Sequence, residues 1–146
     1  SIKPSRFESE RIRQFMEIVL VEVSTLRPHE EIKPKLLERM VNAIHKRGGY
    51  LKPILVDRTS RAVLDGHHRY NSALQLNLRL IPAIEVDYLE DESIEVHSWP
   101  GKEHLEIDKQ AVLNMAMSDE VYPPKSSKHT MTSEYPDHFY PLSELE

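Results

Sequence analysis

The side chains best suited to chemistry form the run Asp65-Gly66-His67-His68-Arg69, between an apolar triplet and an amphipathic segment. A strand ending here and a helix beginning near His67 would leave unpaired backbone N–H groups at the helix start, which favour an anion. Gly66 allows close approach of the backbone to a ligand, and Arg69 can bind phosphate with a bidentate fork. His67 and His68 can donate further hydrogen bonds. The run is therefore a candidate phosphate-binding turn.

Two other interpretations of this run stay open on spacing alone. Asp65 is a good N-cap and Gly66 is ordinary turn chemistry, so the run could simply start a helix while Arg69 stays solvated. A metal site is a weaker hypothesis, because adjacent helical side chains such as His67 and His68 point about 100° apart.

Three further segments carry groups that could take part in a reaction. Glu30 ends the loop sequence Leu-Arg-Pro-His-Glu, Trp99 is the only tryptophan, and residues 124–129 combine two lysines, two serines and a histidine. Considered alone, Glu30 fits an exposed loop acid and Trp99 a core aromatic. The segment 124–129 has the composition of a solvated linker.

The pattern of apolar residues predicts the elements that position these groups. Branched residues predict a strand over 15–23, and helical spacing after Pro34 predicts a helix that ends at Gly48-Gly49. Further segments are predicted as strands at 53–57, 62–64, 82–87 and 94–99, and as helices from His67 and over 107–117. The sequence thus predicts one α+β domain over residues 1–146. A small mixed sheet with flanking helices forms its core at about 17–100, a polar arm precedes it over 1–13, and residues 101–146, with an extended tail from Val121, complete the site.

Composition limits the classes of function. The chain has 146 residues and a net charge of −5, with 24 acidic against 19 basic residues, which counts against nucleic acid as a partner. Cysteine is absent, which excludes disulfide scaffolds, thiolate nucleophiles and zinc sites built on sulfur. No apolar run is long enough to span a membrane, and a cytoplasmic protein without a membrane partner is expected.

The sequence Val-Leu-Asp-Gly-His-His-Arg-Tyr at 63–70, followed by Ala73-Leu74 and then Ile-Pro-Ala at 81–83, resembles the ParB/sulfiredoxin-like superfamily. More narrowly, the chain resembles the free L-serine kinases of archaea and their bacterial relatives, from about residue 19 to Trp99 and again over 123–129. That resemblance implies a ParB/sulfiredoxin-like fold. It also implies transfer of phosphate from ATP or ADP to L-serine, giving O-phospho-L-serine for cysteine biosynthesis.

The resemblance also implies roles for individual residues. Glu30 would be the catalytic base, and Asp65 would assist near the serine hydroxyl and the metal-bound phosphates. Phosphates would lie on Gly66, His67, His68 and Arg69, with Mg²⁺ held mainly by the phosphates themselves and Asp65 as its protein ligand. Substrate binding would involve Trp99, Lys125, Ser126, Ser127, Lys128 and His129.

The chain departs from the kinase pattern in its tail. Ser126 and Ser127 stand where the kinases have threonines, and Lys128 replaces an arginine, which makes recognition of a carboxylate looser. The stretch between Trp99 and Pro124 is also shorter than the corresponding stretch of the archaeal kinases. The main alternative is a ParB-like nucleotide- and DNA-binding partition or transcription protein without kinase activity. Sulfiredoxin chemistry is excluded because it needs a cysteine. The nucleotide (ATP, ADP or CTP), the effect of the shorter stretch on activity, the pathway and the oligomeric state stay open.

Overall fold

The computed structural model describes residues 16–132 and 134–146, so the predicted arm at 1–13 lies outside the described residues. Within them the strands are β1 (Val19–Glu22), β2 (Gly49–Tyr50), β3 (Ile54–Asp57), β4 (Val63–Asp65), β5 (Leu80–Val86), β6 (Ile94–Ser98), β7 (Ser127–Met131) and β8 (Tyr140–Pro141). The α-helices are α1 (Pro34–Arg47), α2 (His67–Gln75), α3 (Lys109–Ala116) and α4 (Leu142–Leu145). Short 3-10 helices lie at Val23–Thr25 and Glu103–Leu105.

A four-stranded sheet in the order β1-β5-β3-β4 lies at the centre of the fold. Strand β3 runs parallel to β5, whereas β1–β5 and β3–β4 pair antiparallel, so the sheet is mixed as predicted. Successive residues of β3 point to opposite faces, and Ile54 and Leu55 accordingly belong to two different apolar clusters. Both faces of the sheet are therefore covered, which gives the expected α+β architecture.

Helix α1 follows the sequence signals that predicted it. Pro34 occupies its first turn, and Gly48 ends it in the left-handed conformation at φ +86°. Ile44, which is 1% exposed, anchors the helix in the core. The helix packs beside α2, so it forms one side of the region that follows β4.

The tail is more regular than the sequence predicted. Residues 127–131, expected to be extended without pattern, form β7 and pair antiparallel with β6, with Val96 opposite His129. The strand is hard to recognise because its residues are mostly polar, although Ser127 is buried. This pairing returns the tail to the end of β4. None of the described helices is long and apolar enough to cross a bilayer.

Candidate active site

A cavity of about 580 Å³ lies where β4 passes into α2. Eleven of the residues selected from the sequence line it: Glu30, Asp65, Gly66, His67, His68, Arg69, Trp99, Lys125, Ser127, Lys128 and His129. The cavity size is in the range of small-molecule and cofactor sites. The structure thus brings together segments that are almost 100 residues apart in the chain.

The turn between β4 and α2 requires glycine. Gly66 has φ +101°, and a Cβ atom on it would lie 2.6 Å from the Cγ2 atom of Ile54 and 3.0 Å from the guanidinium of Arg69. Gly66 is also the N-cap of α2, and no side chain caps the helix. The interpretation of Asp65 as N-cap is therefore wrong: its carboxylate instead lies 3.2 Å from Arg69 Nη2. No side chain accepts a hydrogen bond from the first backbone N–H groups of α2, so these groups are available to bind an anion.

The two histidines of this turn join α2 to the loop that carries Glu30. His67 Nε2 accepts the backbone N–H of His29 at 3.1 Å, and His68 Nε2 accepts that of Lys33 at 3.0 Å. In each neutral ring the hydrogen must then reside on Nδ1. Burial lowers the pKa of His67 well below its usual value. It also lowers the pKa of His68, with the charge of Lys125 adding to the effect. The sequence did not indicate this bracing.

Glu30 is held by the backbone of the tail. Its Oε1 atom accepts the N–H groups of Ser126 at 2.9 Å and Ser127 at 2.8 Å. The turn that presents these amides begins at Lys125, whose φ is +54°. Burial raises the pKa of Glu30, and the hydrogen bonds from the tail partly offset that rise. Glu30 is thus a fixed, half-buried carboxylate with elevated basicity.

Trp99 and two lysines form a cationic cluster at the cavity. Lys125 Nζ lies 5.3 Å and Lys128 Nζ 5.0 Å from the centre of the Trp99 ring, within the range of cation–π attraction. The indole Nε1–H donates to the carbonyl of Ser127 at 3.1 Å, which fixes the ring against the tail. Ser126 does not line the cavity; it is fully buried, and its hydroxyl donates to the Pro123 carbonyl.

Sequence reasoning missed two parts of this region. His29, which precedes Glu30 in the chain, is fully buried, and its position in the sequence Arg-Pro-His-Glu was the only available signal. Helix α1 and strand β2 also line the cavity, through Ile44, Arg47 and Tyr50. The Tyr50 hydroxyl donates to the Arg69 carbonyl at 2.7 Å, so this part of the lining is connected directly to α2.

Protein groups for a metal are few. Among the described residues, no three His, Asp or Glu side chains are grouped so as to hold an ion. The Asp65 side chain is 60% exposed and faces Arg69, so it can supply one carboxylate at the cavity. A cation here would need most of its ligands from a bound molecule.

Comparison with known proteins gives the family. The chain is 42% identical over 74 residues to a "ParB-like protein" of Sulfolobus acidocaldarius, covering 51% of this chain and 36% of that one. It is 36% identical over 88 residues to an "ATP-dependent L-serine kinase" of Staphylothermus marinus, covering 58% and 34%. The chain thus matches about a third of the length of these curated relatives.

A solved structure described as a free serine kinase in complex with AMP has the same fold. It superposes with a TM-score of 0.79 at 15% identity, covering 90% of this chain and 94% of that one. The family model described as the ParB N-terminal domain matches residues 2–98. That match spans more than half of the sequence, and the chain belongs to the ParB N-terminal domain family.

Proposed function

We propose that this protein is a kinase for free L-serine that transfers the terminal phosphoryl group of ATP or ADP to the serine hydroxyl. The observation that carries the proposal is the common cavity of the Glu30 carboxylate and the uncapped start of α2. Glu30 offers a base, and the backbone N–H groups at the start of α2 offer hydrogen-bond donors for phosphate. The relative described as an ATP-dependent L-serine kinase, and the fold shared with a free serine kinase, support this assignment.

The nucleotide phosphates would bind at the start of α2. The amides after Gly66 and the guanidinium of Arg69, whose side chain is 16% exposed, give a fixed array of donors there. The Nδ1–H groups of His67 and His68 remain as further donors, because Nε2 of each ring is already an acceptor. The base and ribose would occupy the part of the cavity near Ile44 and Tyr50.

The residues present fit magnesium that is held mainly by phosphate. Asp65 would supply the protein ligand, and the scarcity of other carboxylates at the cavity agrees with an ion that keeps its water and phosphate ligands. When bound, Mg²⁺ neutralises charge on the phosphates during transfer.

Glu30 would act as general base through Oε2, since Oε1 is committed to the Ser126 and Ser127 amides. As the serine hydroxyl oxygen bonds to the terminal phosphorus, its hydrogen passes to Oε2. The bond from phosphorus to the bridging oxygen breaks, and the shortened nucleotide leaves with the electron pair. The raised pKa of Glu30 makes it a stronger base than an exposed glutamate.

The amino acid would bind beside Trp99. Lys125 and Lys128 place two ammonium groups over that ring, where they can receive the substrate carboxylate. Ser127 and His129 also line the cavity. Ser126 would contribute through its backbone, because its hydroxyl is used by Pro123.

A donor-by-acceptor panel tests the proposal. The protein is incubated with Mg²⁺, each of ATP, ADP and CTP, and each of L-serine, D-serine, L-threonine and L-homoserine. Phosphorus NMR then detects phosphoserine. We expect product from L-serine with an adenine nucleotide. Nucleotide binding without product for any pair would favour the ParB-like binding module, and a gel shift in moderate salt would then test for DNA.

A further inference from the structure

A line of three short contacts lies behind Glu30. His29 Nδ1 lies 2.8 Å from the Val63 carbonyl oxygen, and His29 Nε2 lies 2.8 Å from Ser127 Oγ. Ser127 Oγ in turn lies 3.2 Å from Glu30 Oε1. His29 is 0% exposed and Ser127 is 8% exposed, so water cannot easily replace any of these contacts.

Counting hydrogens along this line decides the direction of each bond. The Val63 carbonyl has no hydrogen to give, so His29 must carry one on Nδ1. Burial lowers the pKa of His29 to about 4, so the ring is neutral near pH 7 and its Nε2 atom can only accept. The donor available to Nε2 is the single hydroxyl hydrogen of Ser127.

We propose that His29 and Ser127 are positioning residues that set the proton affinity of Glu30, because His29 draws the Ser127 hydroxyl hydrogen away from the carboxylate. Ser127 then presents a lone pair to Glu30 Oε1. The distances agree, since the contact with His29 is 2.8 Å and that with Glu30 is 3.2 Å. The inference rests on the proposed role of Glu30 as base.

The consequence for catalysis is direct. A carboxylate gains stability from each hydrogen that it accepts, and each such bond lowers its pKa. Withholding the Ser127 hydrogen therefore leaves Glu30 with the backbone amides of the tail as donors but without the hydroxyl, and so makes the carboxylate more basic. After Glu30 has taken the substrate hydrogen it no longer needs the hydroxyl donor, so the arrangement favours the protonated product state.

Other charged or titratable groups line the same cavity as Glu30. They are Arg47 from α1, Lys52 after β2, Asp65 from β4, His67, His68 and Arg69 from α2, and Lys125, Lys128 and His129 from the tail. Because the test variants retain all of these groups, a difference between variants reports the hydroxyl of Ser127 and its acceptor.

The test measures the pKa of Glu30 by carbon-13 NMR on glutamate-labelled protein without substrate, with the signal assigned through Glu30→Gln. In His29→Asn the amide nitrogen can still donate to Val63, but the Nε2 acceptor is gone, so the Ser127 hydrogen turns to Glu30. We expect the Glu30 pKa to fall by about one unit. The Glu30 pKa should not rise in the Ser127→Ala variant. Adding His29→Asn to Ser127→Ala should not lower the Glu30 pKa further. Ser127→Thr retains the hydroxyl and should match the parent protein.

Two results would overturn the inference. A higher Glu30 pKa in Ser127→Ala would mean that the hydroxyl donates to Glu30 in the parent protein. An unchanged pKa in His29→Asn, or an equal change with and without the Ser127 hydroxyl, would remove His29 from the role. If His29→Asn does not fold, the direction of the change in Glu30 pKa in Ser127→Ala decides by itself.

Turnover of L-serine is measured in parallel. The acid limb of the kcat–pH profile should move to lower pH in His29→Asn, following the NMR values. If the NMR shifts occur in a protein that transfers phosphate to none of the panel acceptors, the proposed function fails while the hydrogen-bond assignment stands.

Discussion

Replacing Glu30 in two ways separates its chemical role from its structural one. The carboxylate is proposed to take the substrate hydrogen, and it also accepts the amides of Ser126 and Ser127. Glu30→Gln retains an oxygen for both amides but cannot serve as base, whereas Glu30→Ala removes both functions. Loss of a general base costs roughly 10²- to 10⁴-fold in turnover, so both variants should be nearly inactive.

The stabilities of the two variants should differ. Ser126 is 0% exposed and Ser127 8% exposed, so Glu30→Ala leaves two buried N–H donors without an acceptor. Each such donor costs about 1–3 kcal/mol, which gives roughly 2–6 kcal/mol in total. For a chain of this size the melting temperature should fall by about 10 °C in Glu30→Ala and by only about 3 °C in Glu30→Gln.

The assays are phosphorus NMR for turnover, calorimetry for nucleotide affinity, and differential scanning calorimetry for stability. Nucleotide affinity of Glu30→Gln should stay near that of the parent protein, because the proposed phosphate site is at the start of α2 and not at Glu30. Full turnover in Glu30→Gln would refute the assignment of the base. Equal melting temperatures for Glu30→Ala and the parent protein would refute the anchoring of the tail by Glu30.

Three other perturbations test neighbouring parts of the site. Arg69→Lys retains charge but loses the planar fork, so ADP affinity should fall about tenfold by calorimetry, and unchanged affinity would exclude Arg69 from phosphate binding. His68→Gln retains an acceptor for the Lys33 amide whereas His68→Ala does not, and both variants lose the Nδ1–H donor; we expect the melting temperature to fall mainly in His68→Ala, and an equal fall in both would contradict bracing through Nε2. Burial lowers the pKa of His29 from 6.5 to about 4 and that of His129 to about 3. The unfolded chain therefore takes up protons first, and the free energy of unfolding, measured with urea, should fall as pH drops from 6.5 toward 4; a constant value between pH 7 and pH 5 would contradict this.

The parts of the fold that the sequence predicted are those coded by neighbouring residues. Pro34 and Gly48 mark the ends of α1, and Gly66 marks the start of α2, because their backbone requirements are local. The buried central strands were recognisable from runs of apolar residues. Local signals of this kind also located the turn at 65–69, whereas Glu30 was selected for the site only through the resemblance to the kinases.

The parts that escaped prediction depend on contacts between distant segments. The bond from the Ser126 amide to Glu30 joins residues 96 positions apart, and no local pattern encodes it. Strand β7 escaped because polar residues such as Lys128 and Thr130 dominate it, and its pairing with β6 outweighs its weak propensity. The roles of His67 and His68 as acceptors escaped because a sequence does not show which ring nitrogen faces a backbone amide.

These long-range bonds connect Glu30 to both of the proposed substrate sites. Its loop is joined to α2 through the His29 and Lys33 amides, and its carboxylate is joined to the tail through the Ser126 and Ser127 amides. A nucleotide bound at the proposed site on α2 would therefore also restrict the motion of Glu30, and an amino acid bound at the tail would do the same. Binding of either ligand would reduce the conformational entropy that is lost when the other binds. The two substrates should therefore bind with positive cooperativity.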